Sequence, residues 1–395
     1  MLLITAPGQG AQAPGFLSAW LELPGFADRL GAWSDLAGCD LVRYGTTAGA
    51  DEIKDTAIAQ PLLVAAAIAT ADELFGGLGR ARQRADATAG HSVGELAAGA
   101  IAGVISPEDA MRLVGVRGRA MASAAAAEQT GMTAVLGGTE KDVLASIAAH
   151  GLTPANINAA GQIVAAGTLA ELAAFAADPP AGARLRPLAV AGAFHTQHMA
   201  PAVAELREAA SAMKVHDPQM SLLSNRDGAV VRTGADWMER IITQVSAPVR
   251  WDRCMASMTG LGVSALIELP PAGTLTGLAK RALPGVQLLA MKTPDDLGAA
   301  RAMLAEHGQA DADSDTPEWR LLVAPLAGNF RAQPDATAPG AAVAAGTQLG
   351  HVEARGSSHP VTPAFPAVLI EWLVQDGDPV SAGQPLVRLQ PEGSQ

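Results

Sequence analysis

The sequence predicts an α/β fold made of a parallel-sheet domain, a small inserted lobe and an all-β domain at the carboxyl end. Three observations lead to this prediction. Short apolar strands alternate with helical stretches through most of the chain, a strand-rich segment interrupts them once, and the last part consists of short strands broken by glycine and proline. With 395 residues the chain is long enough for two or three domains.

The composition excludes several classes of protein. The formal net charge is −12 and the only cysteines are Cys39 and Cys254. Phosphate binding needs clustered Lys and Arg, and two distant cysteines supply neither a disulfide framework nor a zinc site. No apolar run approaches the roughly 20 residues of a membrane span, and the first residues lack a basic signal region. We expect a soluble, cytoplasmic, monomeric protein that binds neither nucleic acid nor membrane.

The most informative segment is Gly90-His91-Ser92-Val93-Gly94, which follows a short apolar strand and precedes an alanine-rich helix. Glycines two residues before and after a serine allow a tight strand-to-helix turn that exposes the hydroxyl. The amide groups at a helix start can stabilise an oxyanion. Ser92 is therefore a candidate nucleophile, although these residues alone also fit a serine that only caps a helix.

A second candidate, Arg117, lies on the helix that begins with Ser106 and Pro107. It falls within the apolar stripe of that helix, which is formed by Ala110, Leu113, Val114 and Met121. A buried arginine needs an anion, and its planar fork suits a carboxylate. The partner is either an acidic side chain of the protein or the carboxylate of a substrate, and the helix alone leaves both open.

The strand-rich segment at 128–193 has the order strand, helix, two strands, helix, strand, which is the ferredoxin-like arrangement. It divides the α/β core into 1–127 and 194–300, and an acidic linker at 301–319 then leads to the last domain at 320–395. His195 follows the lobe and is a candidate general base. His198 lies three residues on, but no third ligand of suitable spacing accompanies it, so we expect no metal.

The last domain contains an internal repeat with an offset of 37 residues. Its matching positions are Gly340, Val343, Gly346 and Leu349 in the first half and Gly377, Val380, Gly383 and Leu386 in the second. Two similar sets of short strands predict a small, pseudo-symmetric β-sandwich.

An ordered set of motifs over residues 1–290 resembles the malonyl-CoA:acyl carrier protein transacylase family. The set consists of Pro7-Gly8-Gln9-Gly10, Gly90-His91-Ser92-Val93-Gly94-Glu95, Arg117, Asn156-Ile157-Asn158, Phe194-His195, Gln244 ahead of Pro248-Val249-Arg250-Trp251, and Leu275-Thr276-Gly277-Leu278. One departure is Pro270-Pro271-Ala272-Gly273, where the family usually has Gly-Pro-Gly-Lys. The resemblance implies a hydrolase-like core and an acyltransferase activity.

The resemblance also implies a role for individual residues. Ser92 is acylated, His195 is its general base, and the backbone carbonyl of Gln244 orients the imidazole. Backbone amides of Gln9 and Val93 form the oxyanion hole. The implied substrate-binding residues are Arg117, as a clamp for the malonyl carboxylate, and His91, Phe194, Asn158 and Met121.

The implied reaction is a ping-pong transfer from malonyl-CoA to the thiol of a holo acyl carrier protein, in fatty-acid or polyketide synthesis. The bulk of Phe194 and Val93 resembles the malonyl-selecting form of related acyltransferases. Carrier proteins of this family's reaction are acidic, so Arg119, Lys280 and Arg281 are candidate docking residues.

The last domain resembles the biotinyl/lipoyl carrier fold through its turns at 323–328 and 376–380. In that family a lysine on the hairpin tip between the two halves is modified, and Gly356 stands at the aligned position here. We therefore expect no biotin or lipoyl cofactor and a docking or structural role for the domain.

Two rival hypotheses concern the function. A serine hydrolase or thioesterase of the α/β-hydrolase class shares the serine motif, but it requires a third, acidic triad member and usually an oxyanion loop of the His-Gly-Gly type. A non-enzymatic scaffold with an inactive acyltransferase body predicts loss of Ser92, His195 or Arg117, and all three are present.

Overall fold

A computed structural model describes residues 1–309, 319–333, 338–354 and 356–391. The chain divides into two compact units, Met1–Ala310 and Asp311–Gln395. The first unit contains mixed sheets and helices, so the prediction of an α/β fold is confirmed.

The first unit has the following strands and helices in chain order: β1 (Leu2–Ala6), α1 (Phe26–Ala37), α2 (Leu41–Thr46), α3 (Thr56–Phe75), α4 (Leu78–Arg84), β2 (Ala87–Gly90), α5 (Gly94–Ile101), α6 (Pro107–Ala127), β3 (Thr130–Gly137), α7 (Glu140–Ala149), β4 (Thr153–Ala159), β5 (Gln162–Thr168), α8 (Leu169–Ala177), β6 (Ala183–Pro187), α9 (Ala200–Ala210), β7 (Ser221–Leu223), β8 (Val230–Val231), α10 (Gly234–Gln244), β9 (Val249–Arg250), α11 (Trp251–Gly260), β10 (Ala265–Glu268), α12 (Thr274–Ala282), β11 (Gln287–Ala290) and α13 (Leu297–His307). Short 3₁₀ helices lie at Trp20–Glu22, Glu52–Lys54, Gln197–Met199 and Pro294–Asp296.

The central sheet has six strands in the order β11-β10-β1-β2-β7-β8 and is parallel except for the β7–β8 pair. Every residue of β1 and β2 is buried, as expected of strands covered on both faces. Because Ala6 pairs with Gly90, the Gln9 loop and Ser92 leave the sheet at the same edge. Ligands of open parallel sheets bind at this carboxyl edge.

The second sheet, in the order β6-β3-β5-β4-β9, belongs to the inserted lobe. The first four strands come from the segment that follows the order strand, helix, two strands, helix, strand. The fifth, β9, comes from later in the chain and pairs in parallel with Asn156 and Ile157 of β4. The residues Ser246-Ala247-Pro248 predict a helix start, but Val249 and Arg250 pair in this sheet and the helix begins only at Trp251.

Helix α3 packs in the core of the first unit. Contrary to the expectation that no apolar run approaches the length of a membrane span, α3 is the one helix in the described ranges that is long and apolar enough to cross a membrane by length and composition. Most of it is buried inside the protein. Its only amide side chain, Gln60, is 1% exposed and precedes Pro61.

The predicted end of the α/β core at residue 300 and the predicted start of the 301–319 linker at residue 301 are wrong. Residues 301–307 continue α13, whose apolar positions Ala300, Met303 and Leu304 are buried in the core of the first unit. This helix was not predicted because its apolar face is short and because the acidic segment begins within it, at Glu306. Residues 310–318 of the expected linker lie outside the described residues.

The second unit contains the strands β12 (Arg320–Val323), β13 (Gly328–Ala332), β14 (Ala342–Val343), β15 (Gly350–Ala354), β16 (Ser357–Val361), β17 (Ala367–Trp372), β18 (Pro379–Val380) and β19 (Pro385–Pro391). They form two four-stranded antiparallel sheets, β12-β19-β17-β14 and β16-β15-β13-β18.

The sequence repeat of the second unit has a structural counterpart. Gly340 and Gly377 have φ of 94° and 91°, and Gly346 and Gly383 have φ of 80° and 78°. The matching apolar residues, Val343 with Val380 and Leu349 with Leu386, are all buried. Equivalent glycines therefore make equivalent left-handed turns in the two halves.

Candidate active site

Ser92 lies at the turn between β2 and α5 with a φ of 53°, a conformation that is costly for any residue with a Cβ. Both neighbouring glycines are needed for this turn. A Cβ on Gly90 would lie 1.9 Å from the carbonyl carbon of Gly94, and a Cβ on Gly94 would lie 2.2 Å from the oxygen of Ala6. The strand, the serine and the helix thus approach each other as closely as their backbones allow.

The side chain of Asn225 holds this turn through two hydrogen bonds. Its Oδ1 accepts a hydrogen bond from the amide of Ser92 at 2.7 Å, and its Nδ2 donates to the carbonyl of Gly90 at 2.7 Å. Asn225 is fully buried and follows β7, the strand next to β2. The side chain therefore fixes the backbone on both sides of the candidate nucleophile.

His195 lies with its Nε2 2.7 Å from Ser92 Oγ. Its Nδ1 donates to the main-chain carbonyl of Gln244 at 2.8 Å, which leaves Nε2 free to accept the serine proton. The amide of His195 donates to the carbonyl of Val245, so the same short segment holds both backbone and ring. Burial, together with the charge of Arg117, lowers the pKa of His195 to about 3, and the ring is a neutral base at physiological pH.

Arg117 is fully buried on α6 and donates to two neutral oxygens. Its Nη1 lies 2.5 Å from Gln60 Oε1, its Nη2 lies 2.9 Å from Gln244 Oε1, and its Nε has no partner among the described residues. No carboxylate in the described ranges forms an ion pair with it within 4.0 Å. Burial lowers the pKa of Arg117 to about 10, so the guanidinium keeps its charge at neutral pH. The sequence left open whether Arg117 pairs with an acidic side chain of the protein or with a substrate carboxylate. Among the described residues, no acidic side chain pairs with it.

A cavity of about 190 Å³ joins these groups. The predicted site residues on its wall are Gln9, His91, Ser92, Val93, Arg117, Met121, Asn158, Phe194 and His195. Residues without an assigned role in the sequence analysis complete it, namely Gln60, Met132, Asn156, Gln162, Val164, Leu188, Val190, Thr274 and Leu278. Gln244 lies behind the wall and reaches the cavity through His195 and Arg117.

The amides of Gln9 and Val93 have no hydrogen-bond acceptor among the residues that the structure describes. Gln9 follows β1 and Val93 follows Ser92 at the start of α5, so both stand beside the nucleophile. Unpaired backbone amides at a helix start are suited to bind an oxyanion.

His91 and Asn158 join the core to the lobe across the cavity. His91 Nε2 lies 2.8 Å from Asn158 Oδ1, and its ring packs edge-on against Trp251 with centroids 5.6 Å apart. Burial lowers the pKa of His91, so the neutral ring donates from Nε2.

Several functional residues were missed in the sequence analysis. Asn225 and Gln60 belong to no motif, but Gln60 could have been found as the lone amide of an otherwise apolar helix. Glu95 belongs to the serine motif, and it is 1% exposed and accepts hydrogen bonds from the amide of Asn225 and from Gln244 Nε2.

The predicted docking residues lie at different places. Arg281 is exposed, donates to Gln162 Oε1 at 3.0 Å, and lines a surface cavity of about 550 Å³ that shares Gln162 with the catalytic cavity. Lys280 is exposed beside it. Arg119 instead donates to the carbonyl of Ala37 at the end of α1 and lines neither cavity. Arg119 is exposed, and its part in docking stays a prediction.

The described ranges contain no group of three or more His, Cys, Asp or Glu side chains that could hold a metal ion. His198 Nδ1 donates to Glu128 Oε2 at 2.7 Å.

Ser92 contacts a neutral imidazole beside a buried arginine that has no carboxylate partner among the described residues, and this arrangement is that of a serine acyltransferase. Comparisons with known proteins agree with this class. Residues 6–306 match the model of the acyl transferase domain family. The malonyl CoA-acyl carrier protein transacylase of Mycobacterium tuberculosis is 53% identical over 302 residues, which are 75% of this chain and 98% of that protein. The Bacillus subtilis transacylase is 32% identical over 308 residues, which cover 76% and 96% of the two chains.

Solved structures give the same result. The crystal structure of MCAT from Mycobacterium tuberculosis has a TM-score of 0.73 and 52% identity, and the match covers 76% of this chain and 99% of that one. A malonyl-transacylase solved in complex with a type II PKS acyl-carrier protein has a TM-score of 0.69 and 28% identity, over 76% and 99% of the two chains. The chain belongs to the malonyl-CoA:acyl carrier protein transacylase family, as its motifs predicted.

Proposed function

We propose that the chain transfers the malonyl group from malonyl-CoA to the phosphopantetheine thiol of an acyl carrier protein through a malonyl-serine intermediate. The observation that carries this proposal is the buried Arg117, whose charge meets, within the described part of the chain, only neutral amide oxygens beside Ser92 and His195. A carboxylate-bearing acyl group supplies the missing anion. An α/β-hydrolase has no use for this charge, and the rival hydrolase hypothesis is not favoured.

In the first half-reaction Ser92 Oγ attacks the thioester carbonyl while its proton passes to His195 Nε2. The amides of Gln9 and Val93 stabilise the oxyanion, and losing one such donor costs about 2.7 to 4 kcal/mol in other serine enzymes. The carbon–sulfur bond then breaks, and the CoA thiolate takes the proton from His195. The backbone carbonyl of Gln244 stabilises the transient imidazolium in place of a triad carboxylate.

In the second half-reaction the carrier thiol gives its proton to His195 and attacks the malonyl ester, and Ser92 is released with that proton. Phe194 and Val93 are buried on the cavity wall, where their bulk limits room for a 2-methyl group. His91 and Asn158 position the substrate from the other side. Lys280 and Arg281 face solvent at the neighbouring cavity and are suited to an acidic carrier protein in fatty-acid or polyketide synthesis.

Further proposals concern the remaining predictions. The core is hydrolase-like, and the second unit is a biotinyl/lipoyl-like sandwich that carries no biotin or lipoyl group. The turn between β15 and β16 has Gly356 at the position of the modified lysine. The protein is a cytoplasmic monomer without a cofactor or a membrane partner. An intact mass equal to that of the sequence supports the absence of a cofactor, and an adduct in the second unit contradicts it.

The proposed function is tested by mixing the protein with malonyl-CoA and measuring its intact mass and the free malonate. A stable malonyl adduct on Ser92, which a holo carrier protein then removes, is the expected result. Rapid release of malonate without an adduct indicates a hydrolase, and no change at all indicates a scaffold. Ser92→Ala is the control that must remain unmodified.

A further inference from the structure

Gln244 serves both functional groups of the site. Its main-chain oxygen accepts from His195 Nδ1 at 2.8 Å, and its side-chain Oε1 accepts from Arg117 Nη2 at 2.9 Å. A change in the orientation of this side chain would therefore directly alter the hydrogen bonding of Arg117, the proposed clamp for the malonyl carboxylate.

The side-chain amide of Gln244 can help Arg117 in only one of its two orientations. With Oε1 towards the guanidinium it accepts a hydrogen bond, whereas the reverse orientation sets an NH₂ donor against another donor. The sequence does not impose the first orientation, so a neighbouring acceptor must hold Nε2 on the opposite side.

Glu95 supplies that acceptor. Its Oε2 lies 2.7 Å from Gln244 Nε2, while the second acceptor of this NH₂ group, Asn225 Oδ1, lies at 3.3 Å. The same Oε2 accepts from the amide of Asn225 at 3.1 Å. Because Glu95 lies in the first turn of α5, three residues after Ser92, the nucleophile and this acceptor are carried by one rigid segment.

Glu95 does not pair with Arg117 directly. The described residues contain no ion pair between them, and one amide separates the two charged groups. The carboxyl is 1% exposed, its Oε1 has no partner among the described residues, and burial raises its pKa to about 7. Burying a carboxyl group in this way is costly, which points to a role for Glu95 other than stability.

We infer that Glu95 is a positioning residue for carboxylate selectivity: it fixes the amide of Gln244 so that Arg117 is held by neutral oxygens and its charge stays available to the acyl donor. This inference rests on the proposed function and names a residue outside the reacting groups. Glu95 touches neither substrate nor nucleophile, and it acts only through Gln244.

The test compares malonyl-CoA with acetyl-CoA as donors in three variants. Glu95→Met keeps the length of the side chain but removes the acceptor, and Glu95→Asp keeps the charge but shortens the reach. Both are expected to lower the ratio of malonyl to acetyl kcat/KM about tenfold, the factor of one lost hydrogen bond. Glu95→Gln keeps a carbonyl acceptor and is expected to retain the ratio of the wild type.

Asp86→Asn is the matched control, because Asp86 is a part-buried carboxyl that, like Glu95, accepts a backbone amide, here that of Leu2 at 2.7 Å. It is expected to change stability without changing the ratio. A folded Glu95→Asp or Glu95→Met enzyme with an unchanged ratio overturns the inference, as does an equal loss with both donors. If Glu95→Met does not fold, Glu95→Asp alone decides. Failure of the wild-type chain to acquire a malonyl adduct would instead overturn the proposed function.

Discussion

Ser92 and His195 share one backbone property: they are the only non-glycine residues in the described ranges with positive φ, 53° and 61°, and their side chains meet at 2.7 Å. Each such conformation costs about 1 to 3 kcal/mol. The two strained positions are therefore the two residues proposed to exchange the proton. The surrounding hydrogen bonds, which the amide of Ser92 donates to Asn225 Oδ1 and the amide of His195 donates to the carbonyl of Val245, hold both in place.

Replacing Ser92 by glycine and by alanine separates this strain from the chemistry. Both variants lose the hydroxyl, so neither should form an acyl adduct with malonyl-CoA. Glycine tolerates a φ of 53°, and we expect Ser92→Gly to unfold with a free energy about 1 kcal/mol higher than Ser92→Ala. Urea unfolding at equal m-values measures the difference. Equal stability of the two variants would show that the backbone at this position is not strained.

Arg117→Ala should lower malonyl transfer much more than acetyl transfer. Removing one partner of a buried, hydrogen-bonded charge pair costs about 2 to 5 kcal/mol, which corresponds to at least about 30-fold in kcat/KM for malonyl-CoA. Arg117→Lys should recover only part of it, because lysine lacks the planar fork. Arg112→Ala is the control on the same helix, since Arg112 is exposed and pairs with Asp109. An equal loss with both donors would mean that Arg117 is structural.

The stability of the protein should fall as the pH rises from about 4.5 to about 7 through the contribution of Glu95. Burial raises the pKa of Glu95 from 4.5 to about 7, so the native state keeps its proton where the unfolded state has lost it. This contribution is complete below pH 4.5, is lost as pH passes 7, and amounts to about 3 kcal/mol.

The measurement is the unfolding free energy of the wild type and of Glu95→Gln from pH 4.5 to 8. Their difference isolates Glu95, because His195, whose pKa is lowered to about 3, contributes to both proteins with the opposite slope. A difference that does not vary with pH would mean that Glu95 ionises in the native state as it does in the unfolded state.

The second unit should be dispensable for acylation. Relatives that match 75% of this chain are matched over 98% of their own length, and the family match ends at residue 306. A chain ending at Ala310 should therefore form the malonyl-Ser92 adduct at the rate of the full chain, as followed by intact mass. A chain ending at Ala300 should lose stability, because it lacks Met303 and Leu304 of the core. Loss of acylation in the longer of the two would assign the second unit a part in the reaction.

The sequence predicted those site residues whose chemical role is indicated by the residues next to them in the chain. Ser92 was indicated by its glycines, His195 by the strand before it, and Arg117 by the apolar stripe that it interrupts. Glu95 and Asn225 could not be assigned in this way, since their roles depend on hydrogen bonds between segments more than 50 positions apart. The two-residue strand β9 was missed for the same reason: nothing local distinguishes it, and only pairing with β4 creates it.

Strand β9 has a consequence for how the enzyme accepts its substrates. It follows Gln244 closely, pairs with Asn156 and Ile157 of the lobe, and its Arg250 amide donates to the carbonyl of Asn225 in the core. Main-chain hydrogen bonds thus connect the core segment that orients the imidazole of His195 with strand β4 of the lobe. We therefore expect the side of the cavity next to Gln244 to move little when an acyl donor binds, so that donors are distinguished there by their size and charge.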